Sequence, residues 1–176
     1  MYELSPSIQE NYFPSITIHT WDYGRKHALP LWMEFVGYSK WHKNSKYTHF
    51  RPNNTALEIP IEGDMSVTVG NRAQIVRAGE MIILPAGEKN QLRTGPSGFC
   101  WKLSCGLCGS LVEQHLSILH FPIGKVIPIG EATKYIELLN NIGRMLQRKE
   151  TSGIPEIAGL TFNLLIQLSL NCTSNF

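Results

Sequence analysis

The stretch GEMIILPAGEKN, from Gly79 to Asn90, decides the fold. Gly79 permits a tight turn into a strand, and the apolar run MIIL that follows has the length of a buried strand. Pro85 and Gly87 then reverse the chain at the end of that strand. Asn90 follows the reversal, so we expect its side chain to point into the space that the strand covers.

Short strands and turns surround this stretch, from about residue 31 to residue 120. The segment ALEIPIEG alternates apolar and polar residues, which predicts a strand. Gly70 and Asn71 predict the turn of a hairpin. Turn signals recur about every 8–12 residues, which is typical of an all-β sandwich or barrel.

Helical spacing replaces this pattern near the end of the chain. The segment Phe121–Gly130 holds two prolines and two glycines and is predicted to be a connector. A helix with an apolar stripe is predicted after it, and ETSGI ends that helix. A second helix follows that is apolar on nearly every side, so we expect it to be buried. The fold class predicted is mainly β with C-terminal helices that form an antiparallel pair.

Composition limits the classes of protein to consider. The chain has 176 residues, 43% apolar and 17% charged, which fits one well-packed globular domain. Lysine and arginine number 16 against 14 acidic residues, so a concentrated basic face for nucleic acid is not expected. The second predicted helix lacks lysine and arginine, which argues against its reading DNA itself.

The apolar runs predict neither a membrane span nor a signal peptide. They are shorter than the ~20 residues that a span needs, and the N-terminal segment MYELSPSIQENYF has no apolar core. We therefore expect no membrane association and a cytoplasmic location, where the cysteines are free thiols.

The spacing Gly79-x5-Pro85-x-Gly87-x2-Asn90 resembles the second motif of the cupins, G-x5-P-x-G-x2-H-x3-N. Asn90 stands at the position of a metal-binding histidine, and Thr94 replaces the final asparagine. The resemblance implies a cupin barrel, also called a double-stranded β-helix or jelly roll, over residues 1–120 with an irregular arm at its start. The connector and a helical dimerisation region would occupy residues 121–176.

The first cupin motif, which supplies a His-x-His pair and a glutamate, is largely missing. His49 is not followed by a second histidine at the right spacing. Only Glu58 or Glu62 could stand for the acid, and we expect both on the polar face of their strand. Because three or four ligands cannot be assembled in the usual way, no metal cofactor is predicted.

A wider resemblance covers about residues 35–170. An Arg-Pro start (Arg51), a strand ending in Gly63, the segment RAGEMIILPAGEKNQL, a tryptophan-bearing strand and two helices follow in the order of one known domain. The chain is similar to the N-terminal effector-binding and dimerisation domain of AraC-family transcription regulators. The resemblance implies a metal-free barrel that binds a small polar effector, such as a carbohydrate, under the arm. DNA would be reached only through a C-terminal domain outside this chain, so we expect an excised fragment rather than a stand-alone sensor.

Four residues are predicted to bind the effector on the strength of this resemblance. Arg51 matches a pocket arginine whose planar fork suits hydroxyls or a carboxylate, and Asn90 can donate and accept hydrogen bonds. Trp101 matches the first tryptophan of a W-x3-W-x2-F strand and can stack on a sugar ring. His49 is the fourth candidate. Each also has a structural interpretation: a surface arginine, a turn asparagine, a core tryptophan and an ordinary strand histidine.

The helical stripe of Tyr135, Leu138, Ile142 and Met145 is predicted to be a homodimer interface, because an exposed apolar stripe of that size is unusual in a monomer. A non-enzymatic sensor is the preferred function. One alternative is a small cupin enzyme such as a sugar isomerase or epimerase, which needs a metal or a convergent acid and base. Another is a dimerising protein without a ligand, whose barrel would be filled by side chains.

The segment FCWKLSCGLCG contains a Cys-x-x-Cys, Cys105 and Cys108. If the strand continues through it, the two thiols face opposite sides and cannot chelate one ion together. The following GSLVEQHLSIL could supply the helix that a redox pair needs, so redox chemistry and zinc stay open. Packing is the preferred interpretation of both cysteines.

Overall fold

The computed structural model describes residues 15–20, 29–50, 52–148 and 151–173. The strands of this part of the chain are β1 (Ser15–Thr20), β2 (Trp32–His42), β3 (Lys46–His49), β4 (Thr55–Val69), β5 (Arg72–Arg77), β6 (Glu80–Leu84), β7 (Asn90–Thr94), β8 (Phe99–Cys108) and β9 (Val126–Pro128). The α-helices are α1 (Val112–Ile118), α2 (Thr133–Arg148) and α3 (Ile154–Thr173), with a 3-10 turn at Thr151–Gly153 before α3. Apart from β1 and residues 29–30, the predicted arm lies outside the described residues.

β4 belongs to both sheets of the barrel. Its first half pairs with β6 and β8, and its second half, from Asp64 onward, pairs with β5 and β7. The ladder to β8 shifts register between Pro60 and Glu62, as at a β-bulge. Gly63 follows with a φ of +74°, and a β-carbon there would lie 2.3 Å from the carbonyl oxygen of Phe99. The change of sheet therefore requires glycine.

The two sheets form a jelly-roll barrel, and the fold class of mainly β with C-terminal helices is confirmed. The first sheet has the order β1-β2-β8-β4-β6-β9, and the second has the order β3-β7-β4-β5, all pairs antiparallel. The predicted hairpin is present, since Val69 pairs with Arg72 across Gly70 and Asn71. The glycines of the GEMIILPAGEKN stretch have positive φ and its MIIL segment is fully buried in β6.

The segment predicted as a connector, Phe121–Gly130, contains a strand that we did not expect. β9 pairs with β6, with Met81 opposite Ile127, and the Ile127 side chain is buried. Pairing with β9 covers the edge of β6, which would otherwise expose unpaired backbone groups. The strand is hard to recognise in the sequence because it ends in Pro128 and lies between Gly124 and Gly130.

The first sheet is buried on both faces. Its outer face packs against the helices in one large core, to which both strands and helices contribute. Its inner face packs against the second sheet in a smaller core, made of Trp41, Ala56, Met65, Val67, Val76, Ile82, Leu84, Leu92 and Cys100. This smaller core is the barrel interior.

The two predicted C-terminal helices are present as α2 and α3. They pack against each other and both contact β2. The hydroxyl of Tyr38 on β2 donates a hydrogen bond of 2.8 Å to Oδ1 of Asn140 on α2. Among the described residues, no helix combines the length and apolarity needed to cross a membrane.

Candidate functional site: a polar cluster in the barrel interior

Glu58, Lys102 and Ser104 bring polar groups into the barrel interior from the first sheet. Glu58 on β4 lies opposite Ser104 on β8, and Lys102 lies two residues from Ser104 on the same face. The Lys102 ammonium donates hydrogen bonds to Oε2 of Glu58 and to the Ser104 hydroxyl (2.6 Å). The Ser104 hydroxyl in turn donates to Oε2 of Glu58 at 2.6 Å. The three groups form a closed triangle.

This ion pair is almost free of solvent contact. Lys102 is 4% exposed and Glu58 is 2% exposed. The Lys102 ammonium also lies 4.8 Å from the centre of the Trp41 ring, within range of a cation–π interaction. Transfer of two charges from water to such a place costs several kcal/mol per ion, and their attraction offsets this only with good geometry. A buried pair of this kind can therefore be retained for recognition rather than for stability.

His49 and Asn90 add polar groups from the second sheet. They lie opposite each other on β3 and β7, and Nδ1 of His49 is 2.7 Å from Oδ1 of Asn90. Because an amide oxygen only accepts, Nδ1 carries the proton of the neutral imidazole and Nε2 has a free lone pair. Asn90 is 0% exposed, as expected for a residue that points into the barrel. We call Glu58, Lys102, Ser104, His49 and Asn90 the interior polar cluster.

Burial controls the protonation of the groups on the second sheet. Desolvation lowers the pKa of His49, although Glu58 and the hydrogen bond to Asn90 oppose the shift. Desolvation also raises the pKa of Tyr47, with a smaller contribution from Glu58. The rings of Tyr47 and His49 pack edge to face with their centroids 4.5 Å apart. A neutral imidazole beside a neutral phenol therefore faces the ion pair.

Apolar side chains fill the rest of the interior. Met65, Val67 and Ile82 are fully buried there, and Leu92 is nearly so. Cys100 also lies in this core, and desolvation raises the pKa of its thiol to about 12, so it remains protonated at neutral pH. A ligand of the interior polar cluster would need these side chains to move.

Of the four predicted effector-binding residues, two meet in the barrel, one lies on another face of its sheet, and one is outside the described residues. His49 and Asn90 are in contact, as described above. Trp101 lies on the outer face of the first sheet, since it alternates with Lys102, and its ring lies 5.5 Å from the Lys40 ammonium. This placement corrects the expectation that the Trp101 ring lines the effector pocket. Arg51 lies outside the described residues.

The predicted dimer stripe is buried within one chain, which contradicts its assignment as an interface. Tyr135 and Ile142 belong to the large core, and Leu138 and Met145 are partly buried against it. Helical periodicity identified the apolar face of α2 correctly, but the outer face of the first sheet covers that face. Tyr135 and Ile142 are therefore not available to a second subunit, and only part of Leu138 and of Met145 is exposed.

The Cys-x-x-Cys shows the opposed faces expected of a continuous strand. Cys105 is fully buried in the large core, whereas Cys108 lies on the other face, where its thiol hydrogen-bonds to Glu34. Desolvation raises the pKa of both thiols above the ordinary cysteine value. Neither is activated as a nucleophile, so both fit the packing interpretation.

A metal site is not evident in the described part of the chain, where no three His, Cys, Asp or Glu side chains converge. Glu58 does occupy the barrel interior, contrary to the expectation that it lies on a polar outer face. Its partner there is Lys102, however, and a cation in that place disfavours a metal ion. The prediction of a metal-free barrel stays a prediction.

Sequence reasoning missed Glu58, Lys102 and Ser104 as site residues. A signal was present: Glu58 and Lys102 are each the single charge of an apolar run, ALEIPI and FCWKLSC. Such a charge is either the exposed face of a half-buried strand or one half of a buried pair. Two of them in one barrel with opposite sign favour the second possibility.

Comparison with protein-family models and with curated protein sequences finds no match. Among solved structures, a cupin-superfamily protein from Desulfitobacterium hafniense is 10% identical with a TM-score of 0.41, and 57% of this chain and 84% of that chain are covered. An RmlC-like cupin family protein with a double-stranded β-helix fold, from Methanocaldococcus jannaschii, is 12% identical with a TM-score of 0.41 over 52% of this chain and 79% of its own. A Cupin 2 conserved barrel domain protein from Salinispora arenicola is 11% identical with a TM-score of 0.41 over 56% and 81%. Likeness at this level carries no argument about ligand or activity, and the fold assignment rests on the strand pairing described above.

Proposed function

We propose that this chain is a non-enzymatic, effector-binding and dimerisation domain of the AraC-family type. Its cupin-type barrel would bind a small polar effector without a metal. Effector binding would change how a DNA-binding domain outside this chain is held. The single observation that supports this proposal most strongly is the interior polar cluster, which combines donors, acceptors and aromatic walls in a shielded space.

The charge balance of the cluster favours an uncharged effector. Glu58 and Lys102 neutralise each other, and an ionic ligand would leave one charge without compensation in a medium of low dielectric constant. A hydroxyl group can donate to Glu58 and accept from Lys102 at once, and Nε2 of His49 can accept from a second hydroxyl. The rings of Trp41 and Tyr47 border the same space. A carbohydrate or another polyol fits these groups.

Because side chains fill the barrel interior, binding of an effector there would require a conformational change of the barrel. Because Met65, Leu92 and their neighbours occupy the interior, a ligand selects a conformation in which they have moved. Both sheets contribute to that packing, and the helices lie on the outer face of one of them. An effector-dependent shift in the first sheet would therefore reach α2 and α3 directly.

The dimer remains part of the proposal, but on a different surface from the predicted one. Phe162 and Leu170 are 42% and 63% exposed, and Ile166 lies between them on the same face of α3. Ile118 of α1 is also exposed, and the His115 ring of α1 packs 5.5 Å from the Phe162 ring. Residues 157–173 contain no charged side chain. This α3 stripe (Phe162, Ile166 and Leu170) would pair with the same stripe of a second copy.

Calorimetry with a panel of neutral sugars and polyols, beside small carboxylic acids, tests the effector proposal. We expect a neutral compound to bind the wild-type chain, and Glu58→Gln to weaken that binding about tenfold or more, because a charge-assisted hydrogen bond is lost. Trp101→Phe is the matched control, since its ring lies on the outer face, and its affinity should be unchanged.

Three outcomes would contradict the effector proposal. They are an absence of binding across the panel, a preference for the acids, and equal affinity in wild type and Glu58→Gln. A stoichiometric transition metal in the purified protein, measured by plasma mass spectrometry, would instead support the cupin enzyme.

A dimerising protein without a ligand is a second candidate function. The observation that favours it is the dense apolar filling of the barrel interior. In that case the panel fails to bind. Replacement of Glu58 and Lys102 together by Leu and Met would then leave the dimer intact in light scattering.

A further inference from the structure

The start of β2 has an extra residue that turns an acidic side chain towards the barrel interior. The ladder between β2 and β8 shifts register between Met33 and Phe35, as at a β-bulge, and leaves Glu34 without a position in the ladder. Met33 packs in the large core outside the first sheet, whereas Phe35 lies opposite Gly106 on the inner face. The bulge thereby lets Glu34 reach Cys108, which also lies on the inner face.

Asn54 and Cys108 hold the Glu34 carboxylate with hydrogen bonds from neutral groups. Nδ2 of Asn54, the residue before β4, donates to Oε1 of Glu34. The Cys108 thiol hydrogen-bonds to the same carboxylate. Desolvation and, after it, the negative charge of Glu34 raise the pKa of that thiol, so the thiol stays protonated at neutral pH. Among the described residues, no cation forms an ion pair with Glu34. Within that part of the chain, its negative charge is therefore not compensated.

Gly106 makes room for this arrangement. A β-carbon on Gly106 would lie 2.3 Å from the Phe35 ring and 3.0 Å from Nδ2 of Asn54. Any side chain here would displace the ring or the amide that holds Glu34. We call Glu34, Phe35, Asn54 and Cys108 the mouth group.

The mouth group lies where the barrel interior meets solvent. β2 and β4 begin and β8 ends here, and all four side chains are partly exposed. The opposite end of the barrel is crossed by β4, which passes from the first sheet to the second at Gly63. Gly106 lies two residues from Ser104 on the same face of β8, a separation of about 7 Å. One small ligand that enters the rearranged barrel can therefore contact the mouth group and the interior polar cluster together.

We propose that the mouth group binds an ammonium group on the effector, so that the effector is an amino sugar or another amino polyol. This inference rests on the effector site proposed above for the interior polar cluster. An ammonium group carries three donors and one positive charge, and the Glu34 carboxylate has lone pairs left to accept from it. The Phe35 ring adds an aromatic surface that attracts the same cation. Glu58 and Lys102 neutralise each other, so hydroxyl groups fit the interior and the charged amine fits the mouth.

Calorimetry with matched pairs of ligands tests the proposal. The pairs are glucose beside glucosamine, and sorbitol beside its 1-amino-1-deoxy derivative. We expect the amine of at least one pair to bind the wild-type chain about tenfold or more tightly than its neutral partner, because it adds a charge-assisted hydrogen bond. Glu34→Gln should remove that advantage. Glu62→Gln is the matched control and should keep it, since Glu62 is exposed and lies opposite Trp101 on the outer face.

Reaction of the Cys108 thiol with a small maleimide, located by peptide mass spectrometry, gives a second readout. Cys108 is partly exposed, whereas Cys100 and Cys105 are buried. Saturating glucosamine should slow the labelling of Cys108, because the ammonium group contacts the carboxylate that the thiol touches. This measurement uses the wild-type chain and does not depend on the folding of a variant.

The outcomes separate this proposal from the proposed function. If the neutral compounds bind, equal affinity within both pairs, or an advantage that survives Glu34→Gln, would overturn the ammonium site and leave the interior site standing. Amines that bind through Glu34 with no effect of Glu58→Gln would support the mouth group and contradict the interior site. Unchanged labelling of Cys108 under saturating glucosamine would overturn the mouth group alone, and no binding of all four compounds would count against both sites.

Discussion

Glu58 shows why strand alternation alone assigns the wrong environment to a residue. It alternates with Leu57 and Ile59, so the pattern predicts an apolar buried face and a polar exposed face. The first sheet, however, lies between the second sheet and the helices, and both of its faces are buried. The polar face is the interior of the barrel. A local pattern of period two cannot report whether a second layer covers that face.

Variants of Glu58 and Lys102 can separate the effect of losing one charge of the pair from the effect of losing both. Glu58→Gln should lower the free energy of unfolding by about 3–5 kcal/mol, because Lys102 is left as a buried charge without its partner. Glu58→Leu combined with Lys102→Met removes both charges and should recover most of that loss. Urea unfolding at pH 7 measures both. Glu62→Gln, at an exposed position, is the control, and an equal loss in the single and double variants would contradict the pairing.

His49 should make stability depend on pH on the acid side of neutrality. Burial lowers its pKa in the folded chain, so just below pH ~6.5 the unfolded chain binds more protons than the folded chain. Stability is then full above pH ~6.5 and falls as the pH drops towards the folded pKa. His49→Gln should flatten the curve of Tm against pH between 7.5 and 5, and His42→Gln, at an exposed position, should not. Identical curves for wild type and His49→Gln would show that His49 does not contribute.

Among the elements, β6 and α2 were predicted well because their signals are local. A turn glycine, a fully apolar run and a Pro-x-Gly reversal specify β6 without reference to the rest of the chain. The apolar stripe of α2 likewise fixes which face is buried. Neither signal indicates which element packs against the buried face. The apolar stripe of α2 therefore predicted contact with a second subunit, whereas it packs against the first sheet. β9 gave a weaker signal, because a strand of three residues that ends in Pro128 has no measurable period.

The passage of β4 from the first sheet to the second at Gly63 gives a direct test of the two-sheet architecture. Gly63→Ala places a side chain at positive φ and against the Phe99 carbonyl, at 2.3 Å. Gly70→Ala, at the β4–β5 turn, meets nothing within 4 Å and bears only the cost of positive φ, about 1–2 kcal/mol. The loss of unfolding free energy should therefore be clearly larger for Gly63→Ala. Equal losses in chemical denaturation would contradict the close approach of β4 and β8.

At the scale of the whole molecule, the barrel could be predicted from a local motif, whereas most of the interior polar cluster could not. The spacing from Gly79 to Asn90 predicted a barrel, and Asn90 does lie in the interior. Lys102 was not predicted as a site residue, because its role depends on Glu58, 44 residues earlier in the chain. Trp101 was chosen on resemblance, yet alternation with Lys102 places the two on opposite faces. Which of two adjacent residues faces a ligand depends on the three-dimensional stacking of layers.

Assembly into a dimer is testable on the α3 stripe. Phe162→Glu or Leu170→Glu should halve the mass measured by light scattering with little change in unfolding free energy, because both side chains are already exposed. Ile142→Glu is the contrasting variant, since its side chain is 0% exposed and should destabilise the fold. A monomeric wild type, or an unchanged mass in both stripe variants, would contradict the α3 interface.

The double membership of β4 has a consequence for how the barrel opens. Its amides and carbonyls are paired with four different strands, β5, β6, β7 and β8. Because both sheets contain β4, one sheet cannot come away from the other unless β4 loses its hydrogen-bonded partners in one of them. The slowest amide protons to exchange with deuterium should lie in β4, and they should exchange only through global unfolding. The first sheet's edge strand β9 should exchange through smaller and faster openings.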